Sequence, residues 1–137
     1  EEIPLAVVAM NRDILRIELE HERRLADSEF LSPFRRNATT WELLLLLAAD
    51  DARSEEGLYR LSEAVETDYL SKAALLKFMR DQRHEGRLLF EPHTKRSMWR
   101  VVPHAGVLED LRNMMTLRNR QLAGADRSRR DHGAAED

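Results

Sequence analysis

Cysteine is absent from the 137 residues, which removes a disulfide framework, a zinc ribbon and a thiol nucleophile together. A cysteine-free chain fits a reducing compartment, and a cytoplasmic location is expected. Glycine (five) and proline (four) are scarce and aromatics make up 6%, which argues against an all-β sandwich built on many tight turns. Gly57, Gly86, Gly106, Gly124 and Gly133 stand isolated, so neither a phosphate-binding loop, a dinucleotide fingerprint nor a nucleophile elbow is present, and nothing argues for an enzyme. No apolar run approaches the ~18 residues that span a bilayer. The longest, Leu43 to Ala49, sits between Glu42 and Asp50, and no membrane partner is expected. The start, Glu1-Glu2-Ile3-Pro4, is acidic and lacks the positive opening of a signal peptide.

Hydrophobic residues at 42% and charged residues at 34% are the profile of one helical globular domain. The net charge of −3 is unevenly distributed. From Lys72 to Arg100 eight basic residues face three acids, a local +5, while the remainder holds fourteen basic and twenty-two acidic residues, or −8. A positive segment therefore lies between acidic flanks, a footprint that net charge alone conceals. Five histidines (21, 84, 93, 104 and 132) never fall four apart, and Asp50-Asp51 and Glu55-Glu56 read as solvated surface. No metal or cofactor is expected.

Hydrophobic spacing divides the chain further. Residues 1–10 read as an unpatterned N-terminal arm. Ile14, Leu15, Ile17, Leu19 and Leu25 predict an amphipathic helix over about 11–25. Thr39 or Thr40 is placed to cap a helix over about 40–52, whose Trp41 and five leucines predict burial around most of its circumference. After Gly57 come a short helix (Leu58, Leu61, Ala64, Val65) and a second one over about 71–86, capped by Thr67 or Ser71 and stopped by Gly86. The buried face of this second helix is Leu75, Leu76, Phe78 and Met79. The period then changes to that of a hairpin over about 87–102, Leu88 and Phe90 opposite Met98 to Val102, with a basic tip. Trp99 reads as packing. Val107, Leu108, Leu111, Met114, Met115 and Leu117 predict a last helix to about Leu122, and 123–137 reads as a disordered tail.

Short helix, turn, basic helix and basic hairpin are the parts of a winged helix-turn-helix: mainly α, with a small β-hairpin wing. Such a basic helix enters the major groove if its outer face is polar and its inner face packed. The segment Trp41 to Asn113 resembles the MarR-type winged-helix regulators, and within them a bacterial group of small single-domain proteins. The matching stretches are Arg12-Asp13-Ile14-Leu15-Arg16, Trp41-Glu42 with its leucines, Leu76-Lys77-Phe78-Met79-Arg80 ending at Glu85-Gly86, and Glu91-Pro92-His93-Thr94-Lys95-Arg96. The likeness covers roughly two-thirds of the chain and consists mainly of apolar spacing. The interval from Leu61 to Gly86 is about three residues longer than in that family, and Gln82 stands where a buried Leu is usual.

The resemblance implies one domain over 11–122, a homodimer through the first and last helices, and a DNA-binding transcription regulator whose partner is double-stranded DNA. It places Ser71, Lys72, Lys77 and Arg80 on the recognition helix and Arg96 on the wing. Arg87, Lys95 and Arg100 add expected phosphate contacts. The alternative is a winged-helix module that docks on a protein partner and does not bind DNA. A ligand sensor with a pocket between dimer helices and winged domain is weaker still, since no specific polar anchor is evident.

Overall fold

The computed structural model describes the backbone of residues 5–49, 56–93, 95 and 98–136, and the side chains of 12–49, 56–93, 95 and 98–128. The elements are α1 (Leu5–Asp27), a 3-10 turn (Phe34–Arg36), α2 (Ala38–Ala49), α3 (Leu58–Ala64), α4 (Lys72–His84), β1 (Leu88–Pro92), β2 (Trp99–Pro103) and α5 (Ala105–Glu136). The chain is therefore mainly helical with one two-stranded antiparallel hairpin, a composition compatible with a winged helix. It divides into two units: Glu1–Asp27 with Leu111–Asp137, and Ser28–Asp110. Among the described residues no helix is long and apolar enough to cross a membrane.

The first unit is drawn from the two ends of the chain. Helix α1 begins at Leu5, inside the segment expected to be an arm, and α5 runs on to Glu136 through the expected tail. Gln121, Leu122, Ala123, Ala125 and Arg127 are strong helix formers, so the helix propagates even where there is little to bury. Arg118 Nη1 lies 3.5 Å from Glu18 Oε2 between α1 and α5. His21, 1% exposed, has its Nδ1 without a hydrogen-bond partner. Burial, then the positive charge of Arg118, holds its pKa below the ordinary histidine range, with Arg24 acting in the same direction and Glu18 and Glu22 opposing. A lowered folded pKa means that the neutral ring is the stabilising form. Its contribution is complete above the unfolded value of about 6.5 and is lost as pH falls through the folded one. The thermal midpoint of the native chain is expected to fall more steeply below about pH 6.5 than that of His21→Leu.

In the second unit the chain turns at Ser28, whose hydroxyl donates to Asp110 Oδ2 (2.8 Å) and accepts from the Leu31 N–H (3.1 Å). Asn37, not a threonine, caps α2: its Oδ1 accepts from the Thr40 N–H at 3.0 Å. This frees both threonines for the interior. Thr40 donates its hydroxyl to the Phe34 carbonyl (2.7 Å), and Thr39 donates to the Thr67 carbonyl and accepts from the Tyr69 N–H. The leucine helix is also less enclosed than its composition suggests. Leu43, Leu44 and Leu47 are buried, Leu46 is half-buried and Leu45 is exposed.

The long connection between α3 and α4 is tied to α2 by Thr39 and by a second side chain, Glu42. Glu42 accepts from the Glu66 N–H (2.8 Å), the Thr67 N–H (2.9 Å) and the Thr67 hydroxyl (2.7 Å). Desolvation alone would raise the Glu42 pKa, but the three hydrogen bonds together outweigh it and hold the carboxyl below the usual glutamate range. The carboxylate's contribution is therefore full above the unfolded pKa and disappears as pH falls through the depressed folded one. Glu42→Ala is expected to cost about 1–2 kcal/mol at neutral pH in chemical denaturation, and nearly nothing once Glu42 is protonated.

Candidate nucleic-acid interface

Ser71 begins α4, its hydroxyl accepting from the Ala74 N–H at 3.1 Å, while Thr67 is occupied by Glu42. The other end closes as a Schellman turn: the Gly86 N–H donates to Arg83 O (3.0 Å) and the Arg87 N–H to Gln82 O (2.9 Å). This turn needs the left-handed backbone that Gly86 adopts at φ +82°. Leu75, Phe78, Met79 and Gln82 form the buried face, with Leu76 half-buried, and α4 packs against α2, α3 and β1. Ala73, Lys77, Arg80 and His84 recur at spacings of four, three and four, and all are exposed. They make one outward stripe. The first turn of α4 carries Lys72 and no acidic residue, so the positive end of the helix dipole is left uncompensated.

The hairpin pairs Leu88 with Pro103, Leu89 with Val102, Phe90 with Val101, Glu91 with Arg100 and Pro92 with Trp99. Leu88, Val101 and Pro103 are buried, so this register turns one face into the core. Trp99, two residues before Val101, shares that face but lies beyond the core's edge and stays 44% exposed. The guanidinium of Arg83 stacks over both Phe90 (4.9 Å) and Trp99 (5.4 Å), diagonal neighbours across the strands. Helix α4, the hairpin and the start of α3 thereby enclose a cleft of about 460 Å³, walled by Arg60, Arg80, Arg83, Tyr59, Phe90 and Trp99 among others.

The candidate residues from the sequence fare differently. Ser71, Lys72, Lys77 and Arg80 lie exposed on α4, and Lys95 is exposed at the hairpin tip. Arg87, expected at a phosphate, has partners within the fold. It is half-buried, its Nε donating to the Glu29 carbonyl (3.0 Å) and its Nη1 to Gln82 Oε1 (3.2 Å). The same bond gives the amide oxygen of the buried Gln82 a partner. Arg100 faces Glu91 across the hairpin, Nη1 to Oε2 at 3.9 Å. Arg96 lies outside the described residues. Sequence reasoning missed Arg60, Arg83, Tyr59 and the open face of Trp99. The signal was available only for the last two strands' shared face, once their register was known.

No family model, no curated protein and no solved structure matches the chain. Among the described residues no group of three or more His, Asp or Glu is placed to hold a metal ion.

Proposed function

We propose that this protein is a DNA-binding transcription regulator of the MarR-like winged-helix kind, with α4 as the recognition helix and the hairpin as the wing. The observation that carries the reading is the exposed Lys77–Arg80 stripe on a helix whose opposite face is packed, with Lys72 at its uncompensated N-terminus. Lys77 and Arg80 are assigned to base edges, and Ser71, Lys72, Lys95 and Arg96 to phosphates. Arg87 is left out because its guanidinium braces the fold.

A homodimer through α1 and α5 belongs to the same proposal. Leu15 (63% exposed) and Leu19 lie four apart on α1, and Leu117 is exposed on α5. A second copy packed on α1 and α5 would cover these leucines. Two recognition helices about 34 Å apart would then read a two-fold symmetric site.

The test is binding to mixed-sequence duplex DNA across a salt series. A steep decline of affinity with salt, about 0.9 in the log–log slope per phosphate neutralised, is the expected result. No binding even at low salt would remove the reading and leave a winged-helix module that docks on a protein partner.

A further inference from the structure

We propose that the cleft between α3, α4 and the hairpin is a binding site for a single unpaired nucleotide, its base stacked on Trp99 and its phosphate held by Arg60 and Arg80. The site shares Arg80 with the duplex reading, but its aromatic wall, on which the test is read, plays no part in that reading.

Three features of the cleft point to this ligand. The first is the aromatic surface. Tyr59 is 65% exposed, Trp99 is nearly half exposed, and Phe90 is half-buried beside it, all on the wall of one cleft. Leaving two large aromatic rings in water costs apolar burial, and nothing in the packing of this unit requires them there. A base has the flat π-face that such rings accept, regardless of its identity.

The second is the cation set. Arg60, Arg80 and Arg83 line the cleft against one acid, Glu56. Arg83 is engaged by the two rings, its Cζ 4.9 Å from the Phe90 centroid and 5.4 Å from that of Trp99. Arg60 and Arg80 form no ion pair or hydrogen bond through their side chains among the described residues. Two uncommitted guanidinium groups match the anionic oxygens of a phosphate, three in a monoester and two in a diester, each able to accept charge-assisted hydrogen bonds.

The third is size. At about 460 Å³ the cleft lies within the ~300–1,000 Å³ range of small-molecule sites, with room for a base, a sugar and a phosphate. The floor is set by Gly57 at φ +86°, where a Cβ would come within 2.8 Å of the Met98 methyl. Backbone and hairpin approach closely there, and a side chain at 57 would displace Met98 from the wall of the site.

The same chemistry is offered by a free mononucleotide and by an unpaired residue within a DNA strand, and one titration separates them. The protein has two tryptophans, Trp41 on α2 and Trp99 in the cleft, so Trp41→Phe leaves Trp99 as the only reporter. Deoxyadenosine monophosphate and a short oligodeoxyadenylate are each titrated against its emission, with adenosine and inorganic phosphate as separate controls. Polarisation of a labelled strand repeats the measurement in the native chain. The expected result is saturable quenching, weakened about tenfold or more when the phosphate is removed and, by polarisation, about tenfold or more by Trp99→Leu. Comparable affinity for monophosphate and strand assigns a free nucleotide, and binding of the strand alone assigns an unpaired base in DNA. No saturable change at about 1 mM with either, or unchanged strand affinity in Trp99→Leu, overturns the inference. Duplex binding by the same proteins is read in parallel. Loss of nucleotide binding with duplex binding intact removes this site alone, and the converse removes the duplex reading alone.

Discussion

Lys77→Ala combined with Arg80→Ala is expected to lower affinity for a preferred duplex by about a hundredfold or more, while leaving helical content and thermal midpoint essentially unchanged. Each side chain is exposed on α4 and neither contributes to the packed face, so truncation should cost the fold little. Each well-formed contact to a base edge is worth about 1–3 kcal/mol of discrimination, so two lost contacts multiply. The pattern across sequences is the decisive readout. A base-reading pair loses preference, so that the double variant binds preferred and scrambled duplexes with similar affinity. A pair that only anchors phosphates weakens every duplex alike and reduces the salt slope by about 0.9 per contact. Lys95→Ala, at the hairpin tip, is the internal control because it is assigned to phosphate. Equal behaviour of all three positions on every sequence would end the claim that α4 reads bases.

Phe34→Ala is expected to cost about 3–5 kcal/mol of stability, a large share of the ~5–15 kcal/mol that holds a typical domain. Phe34 is 0% exposed and meets Phe78 of α4 edge-on, ring centroids 5.5 Å apart at 81°. It sits in the 3-10 turn ahead of α2, and its carbonyl accepts the Thr40 hydroxyl, so ring and backbone secure the same junction. Truncation leaves a cavity under α4 that a one-turn segment has little freedom to fill. A fall of about 10–20 °C in the midpoint is the expected reading by circular dichroism. Phe34→Leu, which keeps most of the volume, should recover more than half of it. A loss below about 1 kcal/mol for the alanine variant would mean that α4 is held chiefly by α3 and β1.

The elements that sequence reasoning placed best are those bounded by strong local signals. Gly57, Ser71 and Gly86 punctuate α3 and α4, and the change of period after Gly86 marks the hairpin. The cap of α2 was misassigned because Asn37 and both threonines are all competent, and only the interior decides which hydroxyls are needed elsewhere. The leucine run overstated burial for a related reason, since composition cannot say which side of a helix has a neighbour. The ends of the chain were misjudged by equating little to bury with little order, although alanine, leucine, glutamine and arginine favour helix on their own. At the candidate interface the α4 stripe was readable from spacing. The role of Arg87 was not, because its partners Glu29 and Gln82 are fixed by tertiary folding, and the cleft exists only once three consecutive elements have folded onto one another.

The division of the chain into an unbroken inner segment and a unit made from both ends has a consequence for biosynthesis. Ser28–Asp110 is one unbroken stretch that is synthesised before most of α5. Helix α1 precedes that segment and the Leu111–Asp137 part of its own unit follows it, so the two halves of the unit are made at different times. At about 5–20 residues per second the interval between them lasts several seconds, during which Glu18 and His21 lack the Arg118 that acts on them in the folded unit. Two nascent chains on neighbouring ribosomes would present this first half of the unit to each other.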